Sequence, residues 1–164
     1  MKHTVVILVK DNPGVLARVA SLFNRRRFNI DSIAAGHSET KGITRITIVT
    51  EGDDSVLEQI VKQVNKLVDV VRVKDLPGDT SVERELALIK VNTESAEQRT
   101  EIMQLVEAFR GHIVDITRQA LTIEITGTQE KINAKMKLME GFGIIEIART
   151  GIISLSRGAQ KILS

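Results

Sequence analysis

The hydrophobic positions of this chain change period several times, and each change marks an element. Val5-Val6-Ile7-Leu8-Val9 is a continuous, largely β-branched run of the kind found in strands covered on both faces. Asp11-Asn12-Pro13-Gly14 breaks it. Val15, Leu16, Val19, Ala20, Leu22 and Phe23 then recur at helical spacing, and Arg25-Arg26-Arg27 close that helix at its negative end. Ile30 to Gly36 and Ile43 to Thr50 read as second and third strands. Gly52-Asp53-Asp54-Ser55 opens a helix carrying Val56, Leu57, Ile60, Val61 and Val64, and Val68 to Val73 forms a fourth strand. The order is βαββαβ, the ferredoxin-like arrangement.

Leu76-Pro77-Gly78-Asp79 supplies a turn, and the pattern starts again. Leu86 to Val91, His112 to Thr117, Leu121 to Ile125 and Ile144 to Ala148 read as strands. Ile102, Met103, Val106 and Phe109 mark one helix, and Ile132, Met136 and Met139 another, with the methionines at core spacing. The expected fold class is therefore α+β, with two tandem ferredoxin-like domains at residues 1–77 and 78–164. Ile152 to Leu155 either extends the second sheet or turns back over it, and Arg157 to Ser164 reads as a basic helix or a frayed end. Each half has roughly 75 to 85 residues, a size at which a core is marginal, so extra burial is expected between halves or between chains.

Composition narrows the chemistry. Hydrophobic residues make up 42% and charged residues 27%, as in ordinary globular chains. There are four Phe and no Trp or Tyr, so Val, Ile, Leu and Met must build the core. The absence of cysteine excludes disulfides, thiolate catalysis and zinc sites of the Cys type. The net charge of +2 is made of interspersed signs, a weak argument for nucleic acid. No apolar run has membrane-spanning length, and the first residues lack a secretory signal, so no membrane association and a cytoplasmic location are expected. His3, His37 and His112 show no metal spacing, and no metal site is expected. Asp53-Asp54 suits a helix N-terminus, and Glu83 and Glu85 flank Arg84 at a strand edge.

The chemically informative segment is Lys10-Asp11-Asn12-Pro13-Gly14-Val15-Leu16. Asn12 is placed to cap the helix, Pro13 to take its first position, and Gly14 to let another group approach the backbone. The N–H groups of Gly14, Val15 and Leu16 are then donors at a positive helix end, where a carboxylate fits. Spacing alone also fits a plainly capped helix start. Asp11 offers a partner for an ammonium, Asn29 an amide for either charged end, and Ile30 and Leu16 the walls of a small apolar slot. A free branched-chain amino acid satisfies all three environments.

These residues carry a resemblance. Lys10 to Leu16 followed by Asn29-Ile30-Asp31-Ser32-Ile33 resembles the ACT domain of acetohydroxyacid synthase (acetolactate synthase) small regulatory subunits. Leu67 to Val73, Val82 to Leu86, Phe109 to Thr117 and Ile147 to Gly158 are similar to later blocks of the same family. The resemblance implies an ACT domain at residues 1–77, which binds effector and dimerises, and a second ferredoxin-like domain at 78–164, which docks or activates a catalytic large subunit. It implies a homodimer whose seam holds valine, or leucine or isoleucine. Asp11, Pro13, Gly14, Val15 and Leu16 would come from one chain, and Asn29 and Ile30 from its neighbour. It implies feedback inhibition, no catalytic residue in this chain, and thiamine diphosphate, magnesium and FAD on the catalytic subunit only. The family often has Asn where this chain has Asp11.

Three rivals stand beside it. An acylphosphatase-like enzyme would need an arginine and a glycine-rich nest in the first loop, where Asp11 repels phosphate. An RNA-binding sheet would need aromatics on its strands, which the first and third strands lack. A stand-alone ACT sensor could regulate another enzyme or a gene, but no helix-turn-helix is evident.

Overall fold

The computed structural model describes residues 1–163. Its elements run β1 (Lys2–Lys10), α1 (Val15–Arg25), β2 (Ile30–His37), β3 (Ile43–Glu51), α2 (Asp54–Val64), β4 (Val70–Asp75), β5 (Ser81–Asn92), α3 (Ala96–Ala108), β6 (His112–Ile116), β7 (Ala120–Gly127), α4 (Gln129–Glu140), β8 (Ile144–Arg149) and β9 (Ile153–Ser156). The chain is α+β, with two sheets ordered β2-β3-β1-β4 and β6-β7-β5-β8, each the strand order of a ferredoxin-like βαββαβ unit. Two compact units result. One comprises residues 1–83 and 152–163, the other residues 84–151.

In the first unit the period-2 alternation of β1 sends Val5, Ile7 and Val9 to the helix side. There they pack with Val15, Val19, Leu22 and Phe23 of α1, Ile60 and Val64 of α2, and Ile46 and Ile48 of β3. The opposite alternates, Val6 and Leu8, are equally buried, under Leu76 and Ile162 with Ile43 and Leu163 alongside. The run Val5 to Val9 is thus covered on both faces, as its sequence pattern requires. Full burial of one isoleucine side chain is worth about 1.5–3 kcal/mol, so Ile162 matters to this small unit.

The source of this second layer was not expected. The sequence placed everything after residue 77 in the second half. Yet Ile152 to Leu163 belongs to the first unit, and β9 pairs with β5, whose first residues Ser81 to Glu83 lie in that same unit. Arg157 N–H bonds Thr80 C=O at 2.9 Å, the Arg45 guanidinium donates to Ser154 C=O at 2.5 Å, and Ile152 N–H donates to Ser32 Oγ at 2.9 Å. The tail contains no helix among the described residues, and Ser164 lies outside them.

The second unit repeats the plan with its own core, in which Ile89, Val91, Ile102, Leu121, Ile123, Ile132 and Met139 are buried. Met103, assigned to the core by its spacing, is 42% exposed, because the buried face of α3 passes through Ile102 and Val106 instead. Glu85 is no edge charge: it is buried and meets Arg149 through two contacts of 2.7 Å. That bidentate bond and the pair's mutual attraction raise the Arg149 pKa, against a smaller opposing effect of desolvation.

Candidate functional site

The connection from β1 to α1 is built differently from its sequence reading. Asn12 does not cap the helix, and Pro13 is not its first residue. The helix begins at Val15, and Gly14 occupies the cap position at φ 80°, ψ 1° with no side-chain cap. Val15 N–H reaches back to Asn12 C=O at 3.3 Å. That bond, with proline second and a left-handed glycine third, defines a type II turn over Asn12 to Val15. Gly14 is therefore required first for its conformation. Space is the lesser reason, since an added Cβ would meet the end of the Arg18 side chain at 3.3 Å.

The consequence is a helix start with bare donors. Among the described residues the N–H groups of Gly14 and Leu16 find no acceptor, while Val15 N–H has only its long turn bond. Val15 is buried and Leu16 is 44% exposed, so these amides stand beside an exposed apolar side chain at the positive end of α1. Two bonds anchor the loop. Lys10 N–H donates to Asp69 C=O at 2.8 Å, and Asp11 N–H donates to Gly42 C=O at 2.9 Å. The Asp11 carboxylate is half exposed and lies 3.7 Å from His37 Nδ1, a neighbour with no role in the sequence reading of the site.

Asn29 and Ile30 lie elsewhere. The Asn29 side chain is exposed and donates to the Asp31 carboxylate, and its carbonyl accepts from Thr50 Oγ1 at 2.5 Å. Ile30 is half buried against the helix-side core, so only part of it is available to line a slot. Register fixes the separation. Ile30 is level with Thr50 and hence with His3, whereas His37 is level with Thr44 and hence with Val9. Seven strand residues, on the order of 20 Å, separate Ile30 from the end of β2 nearest the Asp11–Leu16 loop. Within one chain the two halves of the expected site do not meet. β2 is the outer strand of its sheet and pairs only with β3 among the described residues.

Comparison with known proteins gives this geometry a family. Residues 5–72 match the acetohydroxyacid synthase small-subunit-like ACT domain, and residues 84–158 match the family described as small subunit of acetolactate synthase. The chain is 53% identical over 160 residues to the probable acetolactate synthase small subunit of Methanothermobacter thermautotrophicus, covering 98% of this chain and 95% of that one. It belongs to the acetolactate synthase small-subunit family. Another member, the acetolactate synthase small subunit of Mycolicibacterium smegmatis, is 51% identical over 160 residues, covering 98% and 94%. The crystal structure of the small subunit from Thermotoga maritima superimposes with a TM-score of 0.91 at 48% identity, covering 98% of this chain and 99% of that one.

In this small-subunit chain the sequence reading missed Arg18 and Asp69, whose side chains pair directly. Asn12 Nδ2 also donates to Asp69 Oδ1, at 2.9 Å. Among the described residues no group of three His, Cys, Asp or Glu side chains could hold a metal ion, and no helix is long and apolar enough to cross a membrane.

Proposed function

We propose that this chain is the regulatory subunit of acetohydroxyacid synthase, and that it binds valine across a seam between two copies of its first unit. The observation that carries the reading is the pair of amides, Gly14 and Leu16, left without internal acceptors behind a left-handed glycine. Such amides suit a carboxylate, which takes up donors that would otherwise face water. Asp11 is placed to meet the α-ammonium, and Leu16 with the neighbour's Ile30 to enclose the isopropyl group.

The separation of the two segments within one chain supports a two-chain site. Two copies joined antiparallel along their β2 edges would bring the His37 end of one strand beside the Ile30 end of the other. The loop of one chain then faces Asn29 and Ile30 of its neighbour, twice, by the two-fold axis. Pairing would also satisfy an open sheet edge.

Valine bound in this way acts on a separate catalytic large subunit, as feedback inhibition in the cytoplasm. Thiamine diphosphate, magnesium and FAD belong to that partner, and this chain contributes no catalytic residue. The second unit serves to dock or activate the partner.

Calorimetric titration of the purified chain with valine, leucine and isoleucine tests the reading, alongside its mass in solution and the activity of the reconstituted enzyme. A dimer taking one valine per chain, with valine lowering activity, is expected. A chain that binds none of the three amino acids would overturn it.

A further inference from the structure

Asp69 ties together three parts of the first unit. It lies between α2 and β4, with its side chain 13% exposed. Its carbonyl accepts from Lys10 N–H at 2.8 Å, its Oδ1 accepts from Asn12 Nδ2 at 2.9 Å, and its Oδ2 takes the Arg18 guanidinium. Lys10 ends β1, Asn12 opens the turn, and Arg18 stands one helical turn beyond Gly14, where Arg18 N–H also closes on Gly14 C=O at 3.0 Å. One residue thus holds strand, turn and helix around the bare amides. The grip is close, because a Cβ on Gly14 would come within 3.3 Å of Arg18 Nη1.

The direction of the grip is informative. Arg18 and Leu16 are two positions apart on α1, about 200° round the helix, so they occupy opposite flanks. Asp69 therefore grips the turn from the flank away from the proposed apolar slot. The hydrogen bonds from Asn12 and Arg18 hold the Asp69 carboxyl below the usual carboxylate range, so the ion pair stands at neutral pH.

We propose that Asp69 is a positioning residue for the amino-acid site: without touching the effector, it holds Asn12 and Arg18 so that the Gly14 and Leu16 amides stay free of internal partners. The inference rests on the amino-acid-binding reading above. Without Asp69 the turn would sample conformations that the effector must then select, and ordering them weakens binding.

The experiment measures valine affinity of the full chain by calorimetry, at a temperature where melting curves show every variant folded. Asp69→Ala is expected to weaken valine by about tenfold, the order set by reordering two side chains and a turn. Asn12→Ala combined with Asp69→Ala is expected to lose no more than Asp69→Ala alone, because both break one network. Asp69→Asn, which keeps a single acceptor oxygen, is expected to fall between wild type and Asp69→Ala. A graded loss of this kind is not produced by a change in stability alone. Wild-type affinity in a folded Asp69→Ala chain, or losses that simply add, would overturn the inference. If Asp69→Ala does not fold, Asp69→Asn decides, and unchanged affinity there overturns it. Should the wild-type chain bind none of the three amino acids, the site reading and this inference fall together. Wild-type binding matched by Asp69→Ala sinks the inference only.

Discussion

The two units share a strand order but treat the start of their first helix in opposite ways. In the second unit β5 reaches α3 through Thr93-Glu94-Ser95, and side chains of the connection and the first helical turn take up backbone donors there. Thr93 N–H bonds Gln119 C=O at 2.8 Å, Ser95 Oγ accepts from Gln98 N–H at 3.1 Å, and Gln98 Oε1 accepts from Glu94 N–H at 2.9 Å. In the first unit Asn12, the residue of capping chemistry, turns away to Asp69, and α1 begins with no side-chain cap. A good cap is worth about 1 kcal/mol. One unit caps its helix with its own side chain, and the other forgoes that stability and begins its helix uncapped. The same topology thus provides a side-chain-capped connection in one place and, on the proposed reading, a binding connection in the other.

The contrast can be broken from either side. Gly14→Val should have the largest effect. It places a β-branched residue at φ 80°, where backbone strain costs of order 1–3 kcal/mol, and it collapses the turn that frees the amides. Calorimetry should find valine binding lost, with melting lowered by several degrees. Replacing Asn12-Pro13-Gly14 by Thr-Glu-Ser, the sequence before α3, should convert the first connection into the second. A Ser cap should then recover about 1 kcal/mol at α1 while valine affinity falls by more than about tenfold. Ser95→Ala is the reciprocal control. It should cost the second unit about 1 kcal/mol in denaturant unfolding and leave valine affinity unchanged.

The smallest effect concerns acid. Asp53 is held below the ordinary carboxylate range by hydrogen bonds from the Ser55 side chain and the Val56 amide, and Asp69 by those from Asn12 and Arg18. A depressed folded-state pKa contributes stability that is present above the unfolded value and lost as pH falls through the folded one. Melting of the first unit should therefore drop as the solution is taken below the usual carboxylate pKa, and Asp53→Asn should flatten part of that slope.

The element order was legible because apolar periodicity follows burial, and each half wrote its βαββαβ pattern plainly. The candidate loop was legible as well, since Pro13-Gly14 marks a backbone break by local sterics alone. The same two residues serve a helix start and a type II turn, however, and the positive φ of Gly14 separates them. Other features had no local signal. Asp69 meets Arg18 across 51 residues of sequence, a separation no period encodes. Ile162 and Leu163 are two apolar residues in an otherwise polar tail, too short a run to show a period, so nothing local announced that Ile162 covers Val6 and Leu8. Met103 kept a helical spacing one position away from the buried face of α3.

The open amides themselves can be watched directly. In an ¹⁵N-labelled chain, addition of valine should move the amide protons of Gly14 and Leu16 downfield as they gain a charged acceptor, while those of Ala96 and Glu97 at the start of α3 stay still. Saturating valine that shifts signals elsewhere and leaves Gly14 and Leu16 unmoved would contradict the assignment of the effector to this helix start.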